Sequence, residues 1–435
     1  MPDGQGQPSR AGTSWLGQAL GAVPSDEPGD GRYRYVLMPS RSRPQMVLPV
    51  GERGAGWASL HRHSDAAPLK VRVARELWAW ACRTGLAGLI FSPPVPDSAV
   101  GLRAGSLPWP DLIAEVFGRA DLAVAISVGQ LRPQIKPILH VATEGGQPLG
   151  HIKVGWNDVT RSLVRNEAAI LLALSGPGGP PSSAAGANQP AGAGRFPHLA
   201  ALRIPRVLHH GEWHGRDVLA VSDVGGTPWY RRRRMSLPAP ATCQAGRALG
   251  VDREALGAST FWSDLSARAK RLVNHAAVDA GIAADLAAAL DTMESGHAAT
   301  ELCFGLMHGD WAPWNMASLG PSLAVWDWER ARIRGPVGFD GAFFRFQVDL
   351  WIRGLRPEQA LWRSRCALAE TMAASDAPPE AGPVVLRLVL LEVALRQLEG
   401  VAAGAPVPGR VYRALSGLLR QSLTVEGALA EGRKP

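Results

Sequence analysis

An α+β chain is expected here, with a small lobe of antiparallel strands followed by a larger helical lobe. Three observations predict it. Residues 121–155 hold three short β-rich runs separated by turn signals, with a helical pattern directly behind them. From about residue 260 onward, apolar residues recur at helical spacing over roughly 262–294, 356–373, 383–402 and 409–429. One strand-rich stretch, Phe304 to Arg330, interrupts that helical half.

Composition narrows the class before any motif is considered. A chain of 435 residues with 46% hydrophobic content can bury one large core or two moderate ones. The net charge of +8 comes almost wholly from arginines spread along the chain, not gathered beside stacking aromatics, so no nucleic-acid partner is expected. The longest apolar stretch, Val384 to Leu398, is interrupted by Arg387, Glu392 and Arg396, so no membrane partner is expected either. Met1 to Arg10 lack the apolar core of a signal peptide, which points to a cytoplasmic enzyme. Cys82, Cys243, Cys303 and Cys366 are scattered, without zinc spacing or a disulfide framework, and read as reduced, mostly buried thiols. Oligomeric state is not legible.

Residues 1–30, rich in Gly, Pro, Ser and Gln, read as a disordered tail. An accessory region with no assigned role spans 31–120. Within it, Tyr33 to Val50 form short strands around a turn at Pro39-Ser40-Arg41. Leu69 to Arg83 form an amphipathic helix with Val71, Val73, Leu77 and Trp80 near one face. His61-Arg62-His63 has no third ligand in sight and reads as an exposed polar turn.

The small lobe spans 121–222. Leu122 to Val128, Lys136 to Thr143 and Leu149 to Gly155 are its first strands, and Glu144-Gly145-Gly146-Gln147 makes a hairpin turn. The following helix can be capped by Asn157, Asp158 or Thr160, and Leu163, Ala168, Ile170, Leu171 and Leu174 supply its apolar positions. Residues 175–194, nearly all Gly, Pro, Ala and Ser, read as a flexible insertion. Strands resume at Arg206 to Leu208 and Val218 to Val221, and the helical lobe spans 223–435.

The chemistry concentrates in His308-Gly309-Asp310-Trp311-Ala312-Pro313-Trp314-Asn315 and Asp327-Trp328-Glu329. Asn315-Met316-Ala317 and Leu323 to Trp328 are strand candidates on either side of the turn signal Leu319-Gly320-Pro321-Ser322. In a hairpin about that turn, cross-strand positions sum to about 641 or 642, which sets Asn315 opposite Trp326 or Asp327. An amide oxygen and a carboxylate then meet, with Asp310 on the loop just before. Hard oxygen donors of this kind suit Mg²⁺. Phosphoryl transfer needs such a metal site and a carboxylate that orients the attacking hydroxyl and accepts its proton.

These motifs resemble the signature of the aminoglycoside phosphotransferase and choline kinase-like family, which shares the two-lobed fold of protein kinases. The resemblance implies that Asp310 is the catalytic base, that Asn315 and Asp327 hold the metal ions, and that His308 braces the loop. It further implies that Asp340, in Gly338-Phe339-Asp340, supports the catalytic loop. In this fold a lysine on the third strand binds nucleotide phosphates and pairs with a glutamate on the next helix. Lys153 and Glu167 occupy those places. Between the first two strands, Ser127 to Pro133 holds the single glycine Gly129, a departure from the Gly-rich loop of protein kinases; backbone N–H groups around Gly129 would reach a phosphate, with Arg132 or Lys136 helping. Leu219 to Val224 resembles the interlobe hinge, and the backbone near Ser222 and Val224 would bind an adenine edge.

An ATP- and Mg²⁺-dependent phosphotransferase acting on a hydroxyl of a sugar, amino alcohol or natural product is therefore expected. The alternatives are a protein kinase-like modifier of a macromolecule and a non-catalytic nucleotide-binding regulator. Gly309 stands where protein kinases usually carry Arg, and no activation-loop segment is evident between Asp327 and Asp340, which counts against the first. The full set of Lys153, Glu167, Asp310, Asn315 and Asp327 counts against the second. Arg231 to Arg234 are read as a solvated run rather than a cationic rim. Of Trp311, Trp314, Trp326 and Trp328, at least half are assigned to core packing rather than to a ring-stacking platform. Beyond Arg345, Arg and Lys slightly exceed Asp and Glu, which weakens the case for a polycationic aminoglycoside, and a sugar, a sugar alcohol or another neutral or anionic metabolite fits at least as well.

Overall fold

The structure is a computed structural model that describes residues 19–20, 34–38, 45–49, 69–84, 86, 95–96, 109–119, 122–128, 135–175, 202–225, 227–228, 251–319, 322–403 and 410–423. The expected α+β division is present. The described residues fall into two compact units. One holds those through Ser175 together with Ile204–Gly225, and the other holds Leu202–Arg203 and those from Thr227 onward.

The first unit is organised on an antiparallel sheet. Its elements are β1 (Arg34–Met38), β2 (Met46–Pro49), α1 (Leu69–Thr84), β3 (Val95–Pro96), α2 (Trp109–Phe117), β4 (Leu122–Ser127), β5 (Ile138–Thr143), β6 (Pro148–Gly155) and α3 (Asp158–Ser175). After β7 (Leu202–Arg203), which belongs to the second unit, come β8 (Val207–Trp213) and β9 (Arg216–Ser222). Among the described residues the strand order is β3-β1-β2-β4-β5-β6-β9-β8. The strands at 34–38 and 46–49, from the region given no role, thus continue the sheet of the small lobe, with Met46 opposite Ser127. Period-two alternation sends Ile126, Leu139, Val141, Ile152, Val154 and Val218 into one core, closed by Trp109, Leu112 and Ile113 of α2. The β5–β6 turn forms where Gly146 takes a φ of 87°, and its N–H donates to Thr143 O at 2.8 Å.

Two helical details differ from expectation. On α1 the assigned apolar face is the outer one: Val73, Leu77 and Trp80 are 51%, 65% and 65% exposed. The helix packs instead through Ala79 and Cys82, with half-buried Trp78, against Val36, Met46 and Leu48. Small side chains permit that close approach, which a leucine–tryptophan stripe would hold apart. On α3 Val164 is buried where Leu163 was expected; Leu163 is half-buried. Asn157 caps this helix, its Oδ1 accepting the Thr160 N–H at 2.9 Å, and Thr160 Oγ1 reciprocates by accepting the N–H groups of Trp156 and Asn157.

The second unit continues with β10 (Thr227–Pro228), β11 (Asp252–Ala255), α4 (Thr260–Val273), α5 (Ala280–His297), β12 (Glu301–Met307), β13 (Met316–Leu319), β14 (Ser322–Val325) and β15 (Arg332–Pro336). The helices α6 (Phe339–Gln347), α7 (Pro357–Cys366), α8 (Leu368–Ala374), α9 (Gly382–Ala402), α10 (Arg410–Arg413) and α11 (Leu415–Leu423) complete it. Two small sheets, β10-β13-β14-β7 and β11-β12-β15, carry the loops of interest. Helix α9 is buried nearly all round, as its almost unbroken apolar run requires, and it packs with α4, α5 and α6 in the largest core. The stretch expected as one helix over 262–294 is two, because Asp279 caps a new start by accepting the N–H groups of Gly281 and Ile282. The stretch 356–373 is likewise divided, at Ala367, and α6, β12 and β15 lie where no regular element was assigned. Among the described residues no helix is long and apolar enough to cross a membrane. Cys82 is buried, with burial pushing its thiol up to about 11. Cys303 is half-buried and Cys366 exposed, so burial of the thiols is only partial.

Replacing Asn157 by Ala removes the α3 cap and is expected to lower unfolding free energy by about 1 kcal/mol in urea denaturation. A variant matching the parent within about 0.3 kcal/mol contradicts the cap assignment.

Candidate active site

Each unit holds its own set of charged residues in place through its own elements. In the first, Lys153 on β6 points from the sheet toward α3 and meets Glu167 there, Nζ lying 2.7 and 2.6 Å from the two carboxylate oxygens. Strand register puts Lys153 between Ile138 and Leu219, so the lysine stands in the middle of the sheet. Both side chains are almost fully buried, at 7% and 1% exposure. A buried pair of this kind is held by its geometry, since loss of one partner strands the other charge. Lys136 is buried as well. Ser222 closes β9: its N–H donates to Arg206 O at 2.9 Å and its hydroxyl accepts the Arg206 N–H at 3.0 Å. The Ser222 N–H is therefore committed inside the sheet, whereas the Val224 backbone has no hydrogen-bond partner among the described residues. Gly129, Arg132, Arg231 to Arg234 and His61 to His63 lie outside the described residues.

In the second unit a loop runs from β12 to β13. Gly309 adopts a φ of 77°, and a Cβ there would lie 2.4 Å from Arg330 O, so only glycine fits after His308. Asp340, in the first turn of α6, accepts the His308 N–H at 2.7 Å and the Gly309 N–H at 2.9 Å. Burial pushes the Asp340 carboxyl up, opposed by His308 and by these two donors. His308 is itself buried: Nε2 lies 3.1 Å from Trp326 O, Nδ1 takes the Asp310 N–H at 3.2 Å, and its ring meets Trp311 and Trp328 edge-on. Trp311 and Trp328 are core residues, while Trp314 and Trp326 are half-buried.

The β13–β14 hairpin takes the lower of the two expected registers. Met316 pairs with Val325, Leu319 pairs with Ser322, and the Trp326 N–H donates to Asn315 O at 3.0 Å. Asp327 follows at once in the left-handed region, with φ 69° and ψ 54°. Asn315 Nδ2 donates to Asp310 O at 2.9 Å and to Asp310 Oδ2 at 2.8 Å. Both acceptors are oxygens, which fixes the amide orientation, with the nitrogen toward Asp310. Asp310, Asn315, Asp327, His308 and Asp340 thus belong to one connected stretch of structure.

That stretch includes residues that sequence reading missed. Arg396 on α9 donates from Nη1 to Asp310 Oδ1 at 2.9 Å and from Nη2 to Gly309 O at 2.6 Å. Its Nε donates to Glu392 at 2.9 Å, one turn earlier on the helix. Glu392 also receives Arg268 at 2.6 Å and approaches Arg330 at 3.8 Å, and Arg268 reaches Glu399 at 2.7 Å. Burial alone would raise the Glu392 carboxyl; Arg396, Arg268 and Arg330 outweigh it and hold it well below the usual carboxylate range. Burial, with Arg396 alongside, pulls Arg330 down to about 10. The signal for this cluster lay in the charges Glu392 and Arg396, four apart in a largely apolar helix.

No protein-family model matches this sequence, and no curated protein does. Among solved structures, the chain is similar to a thermostable mutant of aminoglycoside phosphotransferase APH(4)-Ia in apo form, with 18% identity, a TM-score of 0.46, and coverage of 74% of this chain and 100% of that one. It is also similar to ADP-bound aminoglycoside phosphotransferase APH(2'')-Ib, with 11% identity, a TM-score of 0.42 and coverage of 72% and 97%. A third is a glucosamine kinase in complex with glucosamine, ADP and inorganic phosphate, with 16% identity, a TM-score of 0.34 and coverage of 77% and 87%. At such identities and TM-scores the assignment rests on this chain's own geometry.

Because the folded-state pKa of Glu392 is depressed, its contribution to stability is full above the unfolded value, about 4.3, and declines progressively as pH falls below that toward the folded value. Acidification from pH 6 to pH 3 is expected to lower the melting temperature of the parent more steeply than that of Glu392→Gln. Parallel curves contradict the assigned charge state.

Proposed function

We propose that this chain is an ATP-dependent phosphotransferase that moves the γ-phosphate of ATP to a hydroxyl of a small molecule. The observation that carries the proposal is the Asp310 carboxylate tethered at both oxygens, beside an asparagine whose amide nitrogen is already committed to it. Each carboxylate oxygen has room for a second donor, so Asp310 can still accept a hydrogen bond from an acceptor hydroxyl. In the proposed step the hydroxyl oxygen bonds to the γ-phosphorus as the bond to the bridging oxygen of ADP breaks, and the hydroxyl proton passes to Asp310. Solvent then takes that proton from Asp310.

The donor set fits a divalent cation. The Asn315 amide oxygen and the Asp327 carboxylate are hard ligands, and Mg²⁺ accepts one or two such protein groups beside phosphate oxygens. When bound there, Mg²⁺ would neutralise charge on the phosphates. Lys153, aimed by Glu167, is the proposed cationic contact for the nucleotide phosphates. His308 and Asp340 keep Asp310 on its loop. A sugar, amino alcohol or natural product is the proposed acceptor class.

The test is transfer of radiolabelled γ-phosphate from Mg·ATP to a panel of sugars, amino sugars, aminoglycosides and amino alcohols. Transfer to at least one acceptor is expected, falling on the order of 10²–10⁴-fold in Asp310→Asn while ATP binding stays within about threefold. Lys153→Ala is expected to lose most of the ATP-dependent rise in melting temperature. A parent chain that binds ATP yet labels no acceptor overturns the proposal. Full turnover in Asp310→Asn removes Asp310 from the chemistry.

A further inference from the structure

We infer that Arg396 is a positioning residue for the Asp310 carboxylate, aimed in turn by buried Glu392. The inference rests on the phosphotransfer reading above and assigns a role that neither the motif nor its resemblance contains. A guanidinium is a planar fork with donors on three edges, and here each edge has a different partner. Nη1 holds Asp310 Oδ1, Nη2 holds the Gly309 carbonyl and Nε holds Glu392 Oε1. The guanidinium carbon lies over the Phe343 ring, 5.0 Å from its centroid, a cation–π contact that adds to these tethers. One side chain thereby fixes both the backbone of the loop and the carboxylate that the loop presents.

Asn315 completes the arrangement from the opposite side, tying Asp310 Oδ2. With both oxygens held, rotation of the carboxylate about its terminal bond is blocked, and the lone pairs left for a hydroxyl point in a set direction. Reaction rates depend steeply on such alignment, and a displacement of about 1 Å can cost about 10²-fold. Glu392 supplies the aim. It lies one helical turn before Arg396 on α9 and is buried, so its position is set by core packing rather than by solvent.

Charge counting separates positioning from a purely structural role. Arg268, Arg330 and Arg396 face Glu392, Glu399 and Asp310. Loss of Arg396 leaves Glu392 still paired with Arg268 and near Arg330, so the core keeps a compensated carboxylate. Asp310 by contrast loses one of its two side-chain tethers. The effect is therefore expected in turnover, with ATP binding unaffected.

The experiment measures kcat and KM for Mg·ATP across the acceptor panel, with water-only hydrolysis in parallel, in the parent, Arg396→Met and Arg396→Lys, alongside melting temperatures. Arg396→Met is expected to lower kcat about 10- to 100-fold with KM for ATP within about twofold. Arg396→Lys keeps a cation but not the fork, and is expected to recover part of that loss, leaving kcat about 3- to 10-fold below the parent. Should Arg396→Met not fold, the lysine variant decides alone: parent-like kcat in a folded Arg396→Lys overturns the inference. So does a kcat within about twofold of the parent in folded Arg396→Met while Asp310→Asn is inactive. A parent chain without transfer or hydrolysis overturns the phosphotransfer reading itself, an outcome distinct from either.

Discussion

Everything in the second unit's site depends on one carboxylate being held at both oxygens. Asp310 is reached from two sides, by Asn315 at the head of a hairpin and by Arg396 from a helix far along the chain. Each tether needs its own support. Asn315 is placed by the β13–β14 register, and Arg396 by a buried glutamate that two further arginines help to neutralise. The loop between them closes only because Gly309 can take a left-handed conformation where a Cβ would strike Arg330 O. Asp340 then collects the two N–H groups that this conformation exposes. A single orienting group thus accounts for a glycine, a buried aspartate and an ion cluster that would otherwise be unrelated costs.

Burying charge is expensive unless it is paired and hydrogen-bonded, and both units show how the cost is met. Lys153 and Glu167 satisfy each other through two short contacts. Glu392 is stabilised by three guanidiniums, enough to reverse the effect of its burial. Such groups are poor choices for stability alone, where apolar residues of similar volume would serve as well.

Much of this was legible in the chain. Pairing of Asn315 with the end of the second hairpin strand followed from a turn signal and simple register, because a short hairpin is a local object. Lys153 and Glu167 were legible through the family resemblance, which expects a lysine on the third strand and a glutamate on the next helix, and the two side chains do meet. The cluster behind Asp310 was not, since Arg268, Arg330 and Arg396 are brought together only by tertiary packing. Glu392 and Arg396 were noticed merely as interruptions of an apolar run. The α1 face was misread because composition alone does not say that Ala79 and Cys82, rather than Leu77 and Trp80, meet the sheet. The split of 262–294 was missed because apolar periodicity continues through it while the Asp279 cap restarts the helix. Strands β1 and β2 were foreseen, but nothing local shows that β2 pairs with β4.

The pinning of Asp310 can be measured without knowing the acceptor, by a double-mutant cycle on stability. Asp310→Ala and Arg396→Met are unfolded in urea singly and together. Direct pairing at 2.9 Å in a largely desolvated setting is expected to give a coupling energy of about 1–3 kcal/mol. Effects that add within about 0.3 kcal/mol would contradict the contact on which the site is built.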